Sequence, residues 1–331
     1  MRKTTWRNGC MLVLAGAPLA ALAWGGRLHM DISRAAARAV PEEMAAWRDY
    51  ARLLAEYSIH PDLWKEADTA EGYRHYIDVE HYEPLAIADL PLDPQKIEAL
   101  QDRRHEKLGY GPWVVLDLQR QLTEALRTND WLRTARLAAA QGHYVADLHQ
   151  PLHTTENFDG QKSVQSGLHM RWELEMPGVY WRMGMMGEVS AAYVPDVWPW
   201  LKAWLAESHA ACREIFDADI EAAQRTGNNI ESAAYYAQLW QASSNVFIRQ
   251  ATRAASDLAS LWYTAWVDAG QPAIPPPPDS LPETSVWKPY RPAEEHRVWP
   301  FMTFLVLAAF FIIFMSVRRN TERSRKMAPP P

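Results

Sequence analysis

Apolar residues recur at three- and four-residue intervals along most of this chain. Val114, Leu118, Leu122 and Leu126 fall on one helical stripe, the pattern of a segment that faces a core. The same period predicts helices over 42–57, 113–128, 131–148, 198–220 and 230–268. Alternating strand-like runs are nearly absent, and no internal repeat is visible. Pro41 suits a helix first turn, and Asn129 or Asp130 can cap the helix that begins near Trp131. The expected fold is all-α: a single multi-helix domain over residues 24–268, with helices wrapped around a central cleft.

The two ends break this pattern. Residues 1–23 read as a secretory signal: Arg2, Lys3 and Arg7 precede an apolar run from Met11 to Leu22, and Ala21 and Ala23 offer a small-residue cleavage site. Residues 298–317 are twenty positions without a charge, long enough for a transmembrane helix, with Trp299 at its outer edge. A basic tail, 318–331, follows with Arg318, Arg319, Arg323, Arg325 and Lys326 against Glu322. Positive charge stays in the cytoplasm, so the body is expected outside, exported and anchored by its C-terminal helix. In a bacterium with two membranes this is the periplasmic face of the inner membrane. A Pro-rich linker, 269–297, contains Pro275-Pro276-Pro277-Pro278 and is expected to be stiff, extended and unpacked.

Charge and cysteine narrow the chemistry. The chain carries −6; setting aside the cationic signal and tail leaves −13 for residues 24–297. Such a surface argues against broad binding of a nucleic-acid duplex, so an anionic substrate needs local cations. Cys10 leaves with the signal and Cys212 stands alone, so the domain has no internal disulfide. Nothing in the sequence implies a protein partner.

The eleven histidines are clustered. In the run from Gly142 to His153, His143 and Asp147 are four apart and share one helical face. His153 follows Pro151, where the helix must end. His169 and Glu173 repeat the four-residue spacing. Imidazole and carboxylate on one face are a common way to present zinc ligands; a single such pair is more often a surface salt bridge. Upstream lie Asp62 and His75, and Trp24 and His29 follow the cleavage site, giving nine candidate ligands.

These residues resemble the zinc-dependent superfamily that joins bacterial phospholipase C to single-strand-specific zinc nucleases, over most of residues 24–268. The processed N-terminal Trp of that family corresponds to Trp24 and the following His to His29. The central motif corresponds to His143, Asp147 and His153, and the last pair to His169 and Glu173. Asp62 and His75 match the remaining ligands, with Asp68 a nearby competitor for Asp62. The resemblance implies a trinuclear zinc cleft. Asp62, His75, His143 and Asp147 would hold one ion, and His153, His169 and Glu173 a second. The α-amine and carbonyl of Trp24, with His29 and the other Asp147 oxygen, would hold the third. It also implies phosphoester hydrolysis by a zinc-activated water attacking phosphorus in line. Lys65 would contact phosphate, Asp78 would orient that contact and the water, and Tyr76 would stack on a base or else serve as a core aromatic. The residues left over are His149, read as supporting or structural, His60 and His81, and His105, His209 and His296, expected in solvent.

The sequence departs from the nuclease pattern in three ways. Glu173 stands where nucleases usually have Asp and phospholipase C has Glu. The nuclease Gly-Gly-Asn is replaced by Asp159-Gly160-Gln161-Lys162, and the disulfides of fungal nucleases are absent. The expected substrate is single-stranded nucleic acid or nucleotides. The alternatives are a phospholipase C acting on phospholipid headgroups, and a non-enzymatic zinc-stabilised binding domain. The last is disfavoured because structural zinc sites are closed by four protein ligands, whereas His153, His169 and Glu173 leave a position open.

Overall fold

The computed structural model describes residues 25–97 and 108–287. The signal segment, Trp24, the expected transmembrane helix 298–317 and the basic tail all lie outside the described residues. Among those described there is no strand, and no helix is long and apolar enough to cross a membrane.

Among the described residues, seven principal helices form the body: α1 (Gly25–Arg38), α2 (Ala51–Tyr57), α3 (Gly111–Arg127), α4 (Trp131–His149), α5 (Val197–Ala210), α6 (Cys212–Arg225) and α7 (Ala233–Asp268). Short helical turns fill much of the space between them. The 114–118–122–126 stripe of α3 is buried as expected. Asn129 takes φ +57 and ends the hairpin turn, and the Asp130 carboxylate accepts the Arg133 amide at 3.1 Å, capping α4. α4 is the centre of the molecule, with every residue from Leu137 to His149 buried. Gln141 donates to Gln119 at 2.9 Å and Gln119 to the Leu261 carbonyl at 3.0 Å, so the buried amides tie α4 to α3 and α7.

Three expectations are corrected. The periodicity over 42–57 resolves into a 3-10 segment, Glu42–Tyr50, followed by α2. The expected helix 198–220 is two helices, broken at Ala211. A helix absent from the sequence reading, α1, packs on α2, α4 and α7. Its buried face mixes Leu28, Ile32, Ala36 and Ala37 with His29, Asp31 and Ser33, and those polar residues blur the apolar period. Ser33 meets α4 at Gly142, where a Cβ would lie 2.7 Å from the Ser33 hydroxyl oxygen.

The Pro-rich linker is also corrected in part. Gly270, at φ +89, ends α7. Residues 272–286 then run back along the domain without regular structure, and Leu281 is buried. Trp266 donates to the Pro272 carbonyl at 2.9 Å, Tyr50 to Pro275 at 3.1 Å, and Trp64 to Glu283 at 3.1 Å. The proline φ limits do give an extended chain, but buried aromatic donors seat it on the domain.

One backbone crossing sets the position of residues 73–78. The Tyr110 amide bonds the Tyr73 carbonyl at 2.9 Å, Gly111 the Tyr76 carbonyl at 3.0 Å, and Asp78 the Leu108 carbonyl at 2.9 Å. Gly109 passes so close that a Cβ would lie 2.3 Å from the Tyr76 carbonyl oxygen, and its φ is +70. Both the left-handed backbone and the clash oppose a side chain there. Gly109→Ala is expected to lower stability by about 2 kcal/mol or more in urea unfolding; an unchanged midpoint would contradict this packing.

Candidate metal centre

Six stretches of chain bring the donor side chains together, α1 among them with His29. α4 carries His143 and Asp147 one turn apart, both with no exposed surface. The turn His60–Trp64, with Pro61 in its first turn, carries Asp62. His75 closes the 3-10 turn Glu71–Arg74. α4 stops at Gln150, before Pro151, and the 3-10 turn Pro151–Thr154 holds His153. Gly167, at φ +85, opens the helix Leu168–Met170 that carries His169, and a π-turn, Arg171–Glu175, carries Glu173. Such π-turns recur at functional sites.

Asp147 lies at the centre. Its Oδ2 is 2.8 Å from His75 Nδ1 and 3.2 Å from His143 Nε2. Asp62 Oδ1 completes this set, 3.8 Å from His75 Nδ1 and 3.6 Å from His143 Nε2. The other oxygen, Oδ1, is 3.5 Å from His29 Nε2 and 3.5 Å from His153 Nδ1. His29 stacks on His143 with ring centroids 4.1 Å apart, so α1 delivers a third imidazole to the same carboxylate. A separate set forms where His153 Nε2 lies 3.1 Å from His169 Nε2 and 3.4 Å from Glu173 Oε2, with His169 paired to Glu173.

These sets fit a metal ion. Zinc with donors at about 2.0–2.2 Å in a tetrahedron places neighbouring donors roughly 3.3–3.6 Å apart. The separations around Asp62, His75, His143 and Asp147 run from 2.8 to 3.8 Å and bracket that edge. Asp62 Oδ2, Asp147 Oδ1 and His153 Nδ1 are buried without a hydrogen-bond partner among the described residues. Buried polar atoms are rarely left so, and a cation would satisfy them. Three groups could each hold an ion: His29–His143–Asp147, Asp62–His75–His143 and His153–His169–Glu173.

Supporting contacts fix the donor atoms. The Ser58 carbonyl lies 2.8 Å from His143 Nδ1, so that nitrogen donates and Nε2 is left to face Asp147 and Asp62. Glu71 Oε1 lies 3.4 Å from His75 Nε2 and accepts the Tyr144 hydroxyl, leaving His75 Nδ1 toward the cluster. Gln150 donates to Glu173 Oε2 at 2.7 Å. Asp159 accepts the Gly167 amide at 3.0 Å and the His169 amide at 3.3 Å, capping the turn that carries His169. The sequence reading missed these partners. Glu71, four before His75, had a readable spacing; a backbone carbonyl such as that of Ser58 leaves no sequence signal.

Electrostatics follow from burial against pairing. Burial is the largest single influence and works to raise Asp62 and Asp147, but the charge and hydrogen bond of His143, with Lys65 beside Asp62 and with His153 and His75 beside Asp147, together hold both carboxyls below the usual range. Burial works to lower His143, yet Asp147 and Asp62 carry it up to about 10. Burial works to lower His153 too, but Glu173 and Asp147 raise it. His29 goes the other way, to about 4, because burial and the neighbouring His143 charge both disfavour its protonation. With protein charges alone, imidazole protons neutralise the central carboxylates.

The His153 set opens on a cavity of about 460 Å³ lined by Lys65, His75, Tyr76, Asp78, Phe158 and Met170, among others. Lys65 and Tyr76, expected at the substrate, and Asp78, expected to orient the phosphate contact and the water, thus line the same cavity as metal donors. Lys65 Nζ is 2.7 Å from Asp62 Oδ1. Burial pushes the Asp78 carboxyl up to about 6, against His81, which opposes the rise. Tyr76 is half-buried at the wall rather than in the core. Asp68 is elsewhere, 3.1 Å from Arg74, so Asp62 is the residue the fold selects.

The remaining described histidines lie outside the three donor groups. His149 stacks on Trp204 at 4.4 Å with Nε2 3.1 Å from Asp257. His81 pairs with Glu156 at 2.7 Å and His60 packs on Tyr57. His209, expected in solvent, is half-buried with Nδ1 3.0 Å from the Thr154 carbonyl. His105 and His296 lie outside the described residues.

A scan against protein-family models finds no match, and a search of curated proteins finds no relative.

His143 is protonated near neutral pH and must be neutral to bind a metal. Zinc titrated into chelator-treated protein at pH 7 is therefore expected to release protons and to bind more tightly as pH rises. Calorimetry in buffers of different ionisation heat measures this; a heat independent of buffer would contradict the charge assignment.

Proposed function

We propose that this protein is a zinc-dependent phosphodiester hydrolase of the kind its motifs resemble, cleaving single-stranded nucleic acid or nucleotides. The observation that carries the reading is the Asp147 carboxylate, whose two oxygens face different sets of donors. One carboxylate serving two sets supports ions spaced closely enough to act on one substrate group. Zinc held there supplies Lewis acidity toward water and toward a phosphoryl oxygen.

The chain's own residues set the rest. Lys65, at the cavity edge, brings a cation to a phosphate where the surface is otherwise acidic. Asp78 is buried enough to exchange a proton near neutral pH. Tyr76 and Phe158 offer aromatic walls for a base. His153→Ala is expected to abolish hydrolysis of bis-p-nitrophenyl phosphate while far-ultraviolet circular dichroism keeps its helical form; an unchanged rate would mean the second donor set is misassigned. Hydrolysis through ionised Asp78 falls as pH drops through about 6. Asp78→Asn is expected to lower kcat/KM by roughly 10²-fold or more and to remove that acid limb.

A second reading, phospholipase C, is favoured by Phe158, Met170 and Leu174, large apolar side chains left partly exposed at the cavity lip. Assay against single-stranded DNA and phosphatidylcholine micelles separates the two. Lipid hydrolysis without DNA cleavage rejects the nuclease reading.

The export reading belongs to the same proposal. Cleavage after Ala23 creates the Trp24 α-amine, so the third ion is completed only in the mature chain. A precursor retaining residues 1–23 is expected to bind less zinc and hydrolyse more slowly; equal rates for the two forms would reject this role for Trp24.

A further inference from the structure

We propose that residues 272–286 form a positioning strap for the metal centre, holding from outside the turn that presents Asp62. The inference rests on the metal reading above and extends it to a segment whose sequence suggests a spacer.

Residues 57–65 have two sides. Inward, Ser58 holds His143 through its carbonyl, Asp62 contributes to the donor set, and Lys65 stands at the cavity edge. Outward, the strap covers them. Trp64 is two residues past Asp62 in the same single-turn helix, and its indole N–H donates to the Glu283 carbonyl. Arg136, on α4, donates to the Thr284 carbonyl at 2.8 Å and the Ser285 carbonyl at 3.1 Å. Leu281, 5 % exposed, closes a small pocket with Tyr57, His60 and Trp64. The helix His60–Trp64 is five residues long and has little rigidity of its own. Its position depends on what packs against it.

The strap suits this job. Prolines at 275–278 restrict the unfolded chain, so docking sacrifices less entropy than a flexible segment would. Prolines donate nothing but keep their carbonyls, and Trp266 and Tyr50 supply donors to Pro272 and Pro275. The domain thus grips its own Pro-rich segment as aromatic grooves grip extended Pro-rich peptides. His169 and Glu173 belong to a different part of the chain, 168–175, which none of the strap hydrogen bonds named above reaches.

That asymmetry makes the test. In the full chain, Leu281→Asp and, separately, Arg136→Ala combined with Trp64→Phe are introduced to loosen the strap. Zinc affinity is measured by competition with a chromophoric chelator in two backgrounds, both carrying His29→Ala to remove the third donor group: adding His169→Ala leaves the Asp62 set, and adding Asp62→Ala leaves the His169 set. Hydrogen exchange over 272–286 reports the strap itself. The expected result is faster exchange in the strap, about tenfold weaker zinc binding at the Asp62 set, and a change within about twofold at the His169 set. Unchanged affinity at the Asp62 set with an opened strap overturns the inference. Equal loss at both sets does so too, since it marks general destabilisation, as does a strap that stays protected in both variants. No zinc at the Asp62 set with the strap intact would reject the metal reading itself, and this inference with it.

Discussion

A carboxylate buried without exposed surface must be neutralised, and the arrangement around Asp147 follows from that requirement. Desolvating a single ion costs several kcal/mol, so partners must come from wherever the chain can supply them. His143 comes from the same helix. His75, His153 and His29 arrive from three other segments, each within 3.5 Å of one of the two oxygens. α1, α4 and the turns at 71–75 and 151–154 are therefore fixed relative to one another as much by one charge as by their apolar contacts.

The donors around Asp147 are in turn held by further groups. Ser58 engages the far nitrogen of His143, Glu71 lies 3.4 Å from the far nitrogen of His75, Gln150 binds the Glu173 oxygen that faces His153 and His169, and Asp159 caps the turn beneath His169. A ligand whose second nitrogen is engaged has one tautomer and one ring orientation, which suits a donor set formed before metal arrives. The backbone crossing at Gly109 and the packing of residues 272–286 extend this support outward. Rigidity at the centre is thus assembled from short, irregular pieces braced by neighbours, rather than from one regular scaffold.

Parts of this were legible from residue spacing. The i,i+4 pair His143–Asp147 lies on one helical face and came out as expected, as did the core stripe of α3 and the cap at Asp130. Local spacing works there because the helix converts it directly into geometry. It worked less well for α1, whose inward face carries the polar His29, Asp31 and Ser33 and therefore lacks a clean apolar period. It also failed for residues 272–286. Proline restricts local conformation, but whether an extended chain docks depends on donors at Tyr50, Trp64 and Arg136, far away in sequence.

The sequence by itself determined which chemistry was available: eleven histidines in a helical chain, spaced with carboxylates so that pairs of donors share a face, in a body of negative charge. Only the tertiary structure decided how those pairs combine. It chose Asp62 over Asp68, turned the two oxygens of Asp147 toward different partners, and brought His29 against His143. The physical reason is range. Helical periodicity acts over four residues, whereas this donor cluster is defined by contacts between residues as far apart in sequence as His29 and Asp147, set by packing and by the need to neutralise one buried charge.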